Sequence, residues 1–97
     1  MFEISINEDA DDELNAAAAF YESRELGLGE TFLHELSITL QLFMEYPLSC
    51  QLMFDQYRRA QIRRFPYGVV YYVGDEKTIV LAVAHSSRRP GYWRKRK

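Results

Sequence analysis

Apolar residues change their spacing once along this chain, and the change separates a helical first half from a stranded second half. Phe2, Ile4 and Ile6 alternate with acidic or small polar residues, which predicts a short half-buried strand. From Asp11 to Leu26 the spacing becomes three to four: Leu14, Ala17, Ala18 and Tyr21 form one stripe, while Glu22 and Glu25 stay on the wet side. Asn7, Glu8 and Asp9 offer capping groups, and the acids through Glu13 suit the positive end of a helix dipole. The small residues Ala16 to Ala19 favour helix and let another element approach closely. Gly27-Leu28-Gly29 ends this helix, with Gly27 suited to a left-handed position and Leu28 able to fold back on the last turn. A second helix is predicted from Glu30 to Tyr46, striped by Leu33, Leu36, Leu40 and Phe43 and stopped by Pro47. So short a connection makes the two helices an antiparallel hairpin.

From Leu52 onward the period is two. Strands are predicted at Leu52–Phe54, Arg59–Phe65, Tyr67–Val73 and Thr78–Ala84, separated by Asp55-Gln56, Pro66 and Gly74 to Lys77. Val69, Tyr71 and Val73 share one face, and Ile79, Leu81 and Val83 share one face of the next strand. The order of elements predicts an α+β fold in a single domain, 1–97: an N-terminal strand, then a helical hairpin packed on a mostly antiparallel sheet. Leu14, Tyr21, Leu33, Leu36 and Leu40 should lie between hairpin and sheet, with Val69 or Val70 and Leu81 facing them.

Composition agrees with one domain. The chain has 97 residues, of which 47% are hydrophobic, enough for a core and too many for disorder to dominate. No apolar run approaches the roughly 20 residues needed to span a bilayer, so no membrane association is expected. Met1 to Ile6 alternates and carries an acid, unlike a signal peptide, and the single Cys50 fits a reducing, cytoplasmic setting. Charge adds more. Residues 1–45 carry eleven acids against one base, Arg24, whereas residues 46–97 carry three acids against eleven bases. The formal net charge of −2 therefore conceals two opposite fields, and the basic part is interleaved with aromatics, which points to an acidic or phosphate-rich partner.

Familiar chemical fingerprints are missing. The chain has no phosphate-binding glycine loop, no dinucleotide fingerprint and no paired Cys or His at metal-ligand spacing, so neither metal nor cofactor is predicted. His34 reads as a helix-surface histidine and Cys50 as a small loop or core residue. The residues with chemistry left to explain are Arg58, Arg59, Arg63 and Arg64 around one strand, and His85, Arg88, Arg89, Tyr92 and Trp93 after the last one. Arginine forks bind phosphate and carboxylate, aromatics stack on bases, and Arg, His and Tyr together suffice for metal-free phosphodiester transfer. Plainer roles stand beside these: Arg58 or Arg59 covering a sheet edge, Tyr92 and Trp93 anchoring the C-terminus, and Arg94 to Lys97 as a solvated tail.

Four blocks of residues resemble the RelE/ParE toxin superfamily: Ala16 to Glu22, Gly27 to Leu33, Arg63 to Tyr72, and Ala82 to Trp93. The resemblance spans essentially the whole chain and implies the strand, two helices, then strands order already read from periodicity. It implies a toxin of a bacterial type II toxin–antitoxin module, held by a cognate antitoxin. One branch of the superfamily cleaves mRNA on the ribosome; the other poisons DNA gyrase. The nuclease branch typically carries an arginine just after the tyrosine that corresponds to Tyr67, and this chain has Gly68, whose space Arg63 or Arg64 would have to reach. That departure and the Ala-rich first helix favour the gyrase-directed, plasmid-stabilisation side. A nuclease and an inactive member that only binds its antitoxin remain the alternatives. On the nuclease reading Arg64, His85, Arg88 and Tyr92 are the catalytic set. On a binding reading the contact residues are Arg58, Arg59, Arg63, Arg64, Arg88, Arg89 and Trp93. Sequential hairpins would bring Arg64, His85 and Arg88 to one end of the sheet, with Tyr92 nearby.

Overall fold

Local chemistry starts and stops the helices. The Asn7 side chain accepts a hydrogen bond from the Asp9 amide (2.8 Å), so the first helix, α1 (Glu8–Arg24), begins earlier than periodicity predicts. It ends earlier too, leaving Leu26 exposed. Gly27 takes the left-handed conformation (φ 87°) that turns the chain sharply into α2 (Leu28–Glu45). Glu22 then reaches across the turn, and its carboxylate accepts from the amides of Gly27 (2.9 Å) and Gly29 (3.0 Å) at the start of α2. The hairpin is therefore fixed by a side chain of α1 capping α2.

The computed structural model describes residues 3–96; Phe2 and Lys97 of the sequence reading lie outside them. Five strands complete the fold: β1 (Glu3–Ile6), β2 (Gln51–Phe54), β3 (Tyr57–Gln61), β4 (Tyr67–Val73) and β5 (Lys77–His85). They form one sheet in the order β1-β5-β4-β3-β2, antiparallel except for the parallel pairing of β1 with β5. The α+β architecture is as predicted, but the strand expected at Arg59–Phe65 is shifted. Asp55, left-handed at φ 51°, makes a tight turn that starts β3 at Tyr57. Arg64, at φ 75°, bends the chain out of the sheet, and the Ile62 amide closes the loop on the Tyr67 carbonyl (2.9 Å).

Each face of the sheet has its own core. On the helix face, Phe32, Leu36 and Phe43 pack with Ile62, Phe65, Val69, Tyr71, Val80 and Val83. The Phe43 and Tyr71 rings stack at 4.0 Å. Leu14, Tyr21 and Leu40 pack against this core as expected, but Leu33 is exposed. The buried stripe of α2 runs through Phe32, Glu35, Leu36, Thr39 and Phe43, so it keeps Leu36 and Phe43 of the predicted stripe and buries Phe32 in place of Leu33. Glu35 and Thr39 disguised it as a polar side. The opposite face of the sheet buries Val70, Leu81, Ala82, Ala84 and Trp93. Val69, Tyr71 and Val73 do share the helix face. Leu81 does not face the helices, and Ile79, Leu81 and Val83 do not share a side. Val70 opposes Ala82 and Tyr71 opposes Val80, so Leu81 is an extra residue in β5. This bulge sends Val83 back to the helix face.

Candidate functional site

The C-terminal segment is bolted to the fold. Trp93 is 1% exposed, stacks on Phe54 (5.8 Å between ring centres) and meets Tyr57 edge-on (4.8 Å). Beside it, Glu13 of α1 gathers groups from two other parts of the chain. Its carboxylate accepts from the Tyr92 hydroxyl (2.6 Å), the Arg96 guanidinium (2.8 and 3.2 Å) and the Val83 amide (3.0 Å). Arg96 also donates to the Leu81 carbonyl (3.1 Å). The pairing of β1 with β5 stops at Val80, so the edge of β5 beyond it is satisfied by Glu13 and Arg96. Burial first, and then the hydrogen bond and charge of Glu13, raise the Tyr92 pKa well above its ordinary value. The guanidiniums of Arg88 (3.8 Å) and Arg96 (5.0 Å) both lie over the Tyr92 ring.

On the outer face of the sheet, a recess of about 260 Å³ opens where β3 and β5 end. Arg59, Gln61, His85, Arg88, Arg89 and Tyr92 line its polar side, and half-buried Met53 with buried Val70 and Ala84 supply apolar lining. Arg59 and Gln61 point from β3 onto this face, and β4 offers Gly68 diagonally across from Arg59. The Arg59 guanidinium occupies the space a side chain at Gly68 would take: a Cβ there would overlap its Cζ, Nε and Nη2. Gln61 fixes it in place, accepting from Arg59 Nη1 (2.8 Å) while its amide nitrogen donates to the carbonyls of Ile62, Phe65 and Tyr67 (2.9–3.0 Å). The Ser87 amide donates to His85 Nδ1 (3.0 Å), which assigns the neutral ring's proton to Nε2. His85 and Arg88 also border a second recess, about 280 Å³, against Ala16, Ala17 and Phe20 of α1.

The predicted convergence is therefore met by a different arginine. β4 does sit between β3 and β5, so their C-terminal ends lie on one side, with His85, Arg88 and Tyr92 together. Arg64 stays exposed in its left-handed turn and does not line the recess; Arg59 holds that place. Nor does Arg63 reach Gly68, because it pairs with buried Glu35 at 3.5 Å. Arg58 donates to the carbonyls of Leu48 (3.2 Å) and Cys50 (2.8 Å), tying the loop before β2 to β3. Arg94 pairs with Asp55 (3.3 Å) and covers the Phe54 ring. Trp93, 1% exposed, is a core anchor at the wall of the recess, and His34 is exposed on α2. Cys50 is half-buried against the helix-side core. Glu13 and Gln61 were missed from sequence. An acid in the first turns of a helix reads as dipole chemistry, and nothing local marks a glutamine that holds a loop.

Among the described residues, no cluster of His, Cys, Asp and Glu has the makings of a metal site, and no helix is long and apolar enough to cross a membrane. Residues 4–90 match the family model described as the ParE toxin of the type II toxin-antitoxin system, parDE. Among solved structures, the chain is similar to one from the chromosomal ParDE TA system of P. aeruginosa, with a TM-score of 0.66 and 16% identity. That alignment covers 88% of this chain and 96% of the other, and at such identity the likeness is one of fold. No individual curated protein matches the chain.

Proposed function

The chain belongs to the ParE toxin family of type II toxin–antitoxin systems, and on that basis we propose that it arrests growth by binding a protein target such as DNA gyrase. A cognate antitoxin holds it inactive until then. The observation that carries the choice between protein contact and RNA cleavage is the Tyr92–Glu13 hydrogen bond at 2.6 Å. A metal-free nuclease needs a group free to take a proton and another free to give one. Tyr92 is committed to Glu13 and held protonated, and His85 has Nδ1 engaged by Ser87. The remaining cations suit attraction and docking better than proton transfer.

Antitoxin binding has an apolar candidate surface. Ile38, Leu42 and Met44 are exposed around a shallow depression on the outer side of α2, 43%, 49% and 37% accessible respectively. Acidic groups of the antitoxin near Arg63, Arg64 or Arg88 would add steering to that burial.

Expression without antitoxin tests the reading in cells. Nucleoid damage with an induced DNA-damage response is the outcome expected. Rapid loss of translated mRNA would instead support the nuclease, and undisturbed growth the inactive member.

A further inference from the structure

The arginines sort into two groups. Arg63, Arg94 and Arg96 each have a carboxylate within 4.0 Å, whereas Arg59, Arg88 and Arg89, on the outer recess, have none among the described residues. Arg59 is nevertheless among the most carefully placed side chains of the molecule. It lies over a glycine that leaves it room and is oriented by a glutamine that is itself held by three backbone carbonyls. A guanidinium fixed in place and lacking an acid partner is prepared for an anion from outside.

We propose that this recess is an anchoring site for a carboxylate-bearing segment of a protein partner, with Arg59 as its principal contact and Gly68 as the seat that keeps Arg59 in position. The inference deepens the reading of the chain as a toxin that works by protein contact.

Two features favour a protein over a nucleic acid. Single strands are held largely by stacking on open aromatic faces, and the aromatics here are occupied. Trp93 is buried, Phe54 is stacked with Trp93 and has the Arg94 guanidinium over its ring, and Arg88 and Arg96 both lie over the ring of Tyr92. The recess also has an apolar lining, with buried Val70 and Ala84 and half-buried Met53 beside the arginines, which suits an aliphatic side chain next to an Asp or Glu.

The test is fluorescence anisotropy with the full chain and two labelled probes: a peptide of alternating glutamate and leucine, and an oligothymidylate of equal charge. Arg59→Gln should weaken the peptide about tenfold, as expected for loss of a charged hydrogen-bonded contact, and Lys77→Gln, at the opposite end of β5 from the recess, should leave binding unchanged. Gly68→Ala should weaken it about fivefold in the Arg59 background and have no further effect in Arg59→Gln. The three atoms nearest the added methyl all belong to the movable end of Arg59, so both variants should keep the wild-type circular dichroism and melting curve. If Gly68→Ala fails to fold, Arg88→Gln replaces it, with a weakening of about threefold or more expected. The proposal is overturned if the peptide does not bind, if binding ignores Arg59→Gln, or if Gly68→Ala acts equally in both backgrounds. Tighter binding of oligothymidylate through the same residues would overturn it in favour of nucleic acid. Because the assay reads binding alone, a different cellular target for the toxin would leave its outcome intact.

Discussion

Glu13 carries more of this molecule than any other polar residue described. One carboxylate, 18% exposed, takes donors from β5, Tyr92 and Arg96 and so joins α1, the sheet and the C-terminal segment. Removing it strands those donors in a partly buried site. Glu13→Ala should therefore lower unfolding free energy by about 2–4 kcal/mol in urea titrations, somewhat below the full cost of breaking a buried pair because water still reaches it. Glu13→Gln, which keeps an acceptor oxygen, should lose less. Equal stability of Glu13→Ala and the wild type would remove Glu13 from this role. At this scale the sequence was only partly readable. The basic set around β3 and β5 was visible as composition. The choice of Arg59 over Arg64 was not, because it depends on which face of β3 Arg59 takes and on a left-handed turn at Arg64, a non-glycine residue beyond the strand.

Single residues act through the elements they join, and the segment after β5 shows this. Tyr92 is held protonated by burial first and by Glu13 second, with its pKa above the ordinary 10.0. A raised pKa in the fold stabilises the folded state fully below pH 10, and that contribution fades as the pH climbs past the unfolded value. Stability of the wild type should accordingly decline above pH 10 more steeply than that of Tyr92→Phe, with denaturant midpoints measured across the alkaline range as the check. Parallel slopes would mean that the hydroxyl does not sense Glu13. Trp93→Ala opens the outer-face core and should cost about 3–5 kcal/mol, read as a lowered melting temperature. Helix and strand order was legible from spacing, since α1, α2 and β4 each hold a sustained period and β5 alternates up to its bulge. Two details escaped it. The buried stripe of α2 contains Glu35 and Thr39, satisfied by Arg63 and by the helix backbone, so it does not read as apolar. The bulge at Leu81 reverses alternation within β5, and no residue type announces it.

At the scale of the whole molecule, the acidic half is mostly the helical hairpin and the basic half mostly the sheet and its loops. Arg63–Glu35 and Arg96–Glu13 stitch the two together, and the unpaired arginines face outward from the sheet. A partner approaching that face is steered by a field that salt screens. The association rate with the antitoxin should thus fall about tenfold between low and high ionic strength, followed by stopped-flow fluorescence; a rate indifferent to salt would remove the charge segregation from recognition. On the proposed reading this toxin works by contact and not by cutting RNA. The most direct test gives one purified preparation both substrates, gyrase with relaxed plasmid and translating ribosomes with mRNA. Supercoiling should fall as toxin is added while the mRNA stays whole; cleaved mRNA with supercoiling untouched would instead make the protein a nuclease.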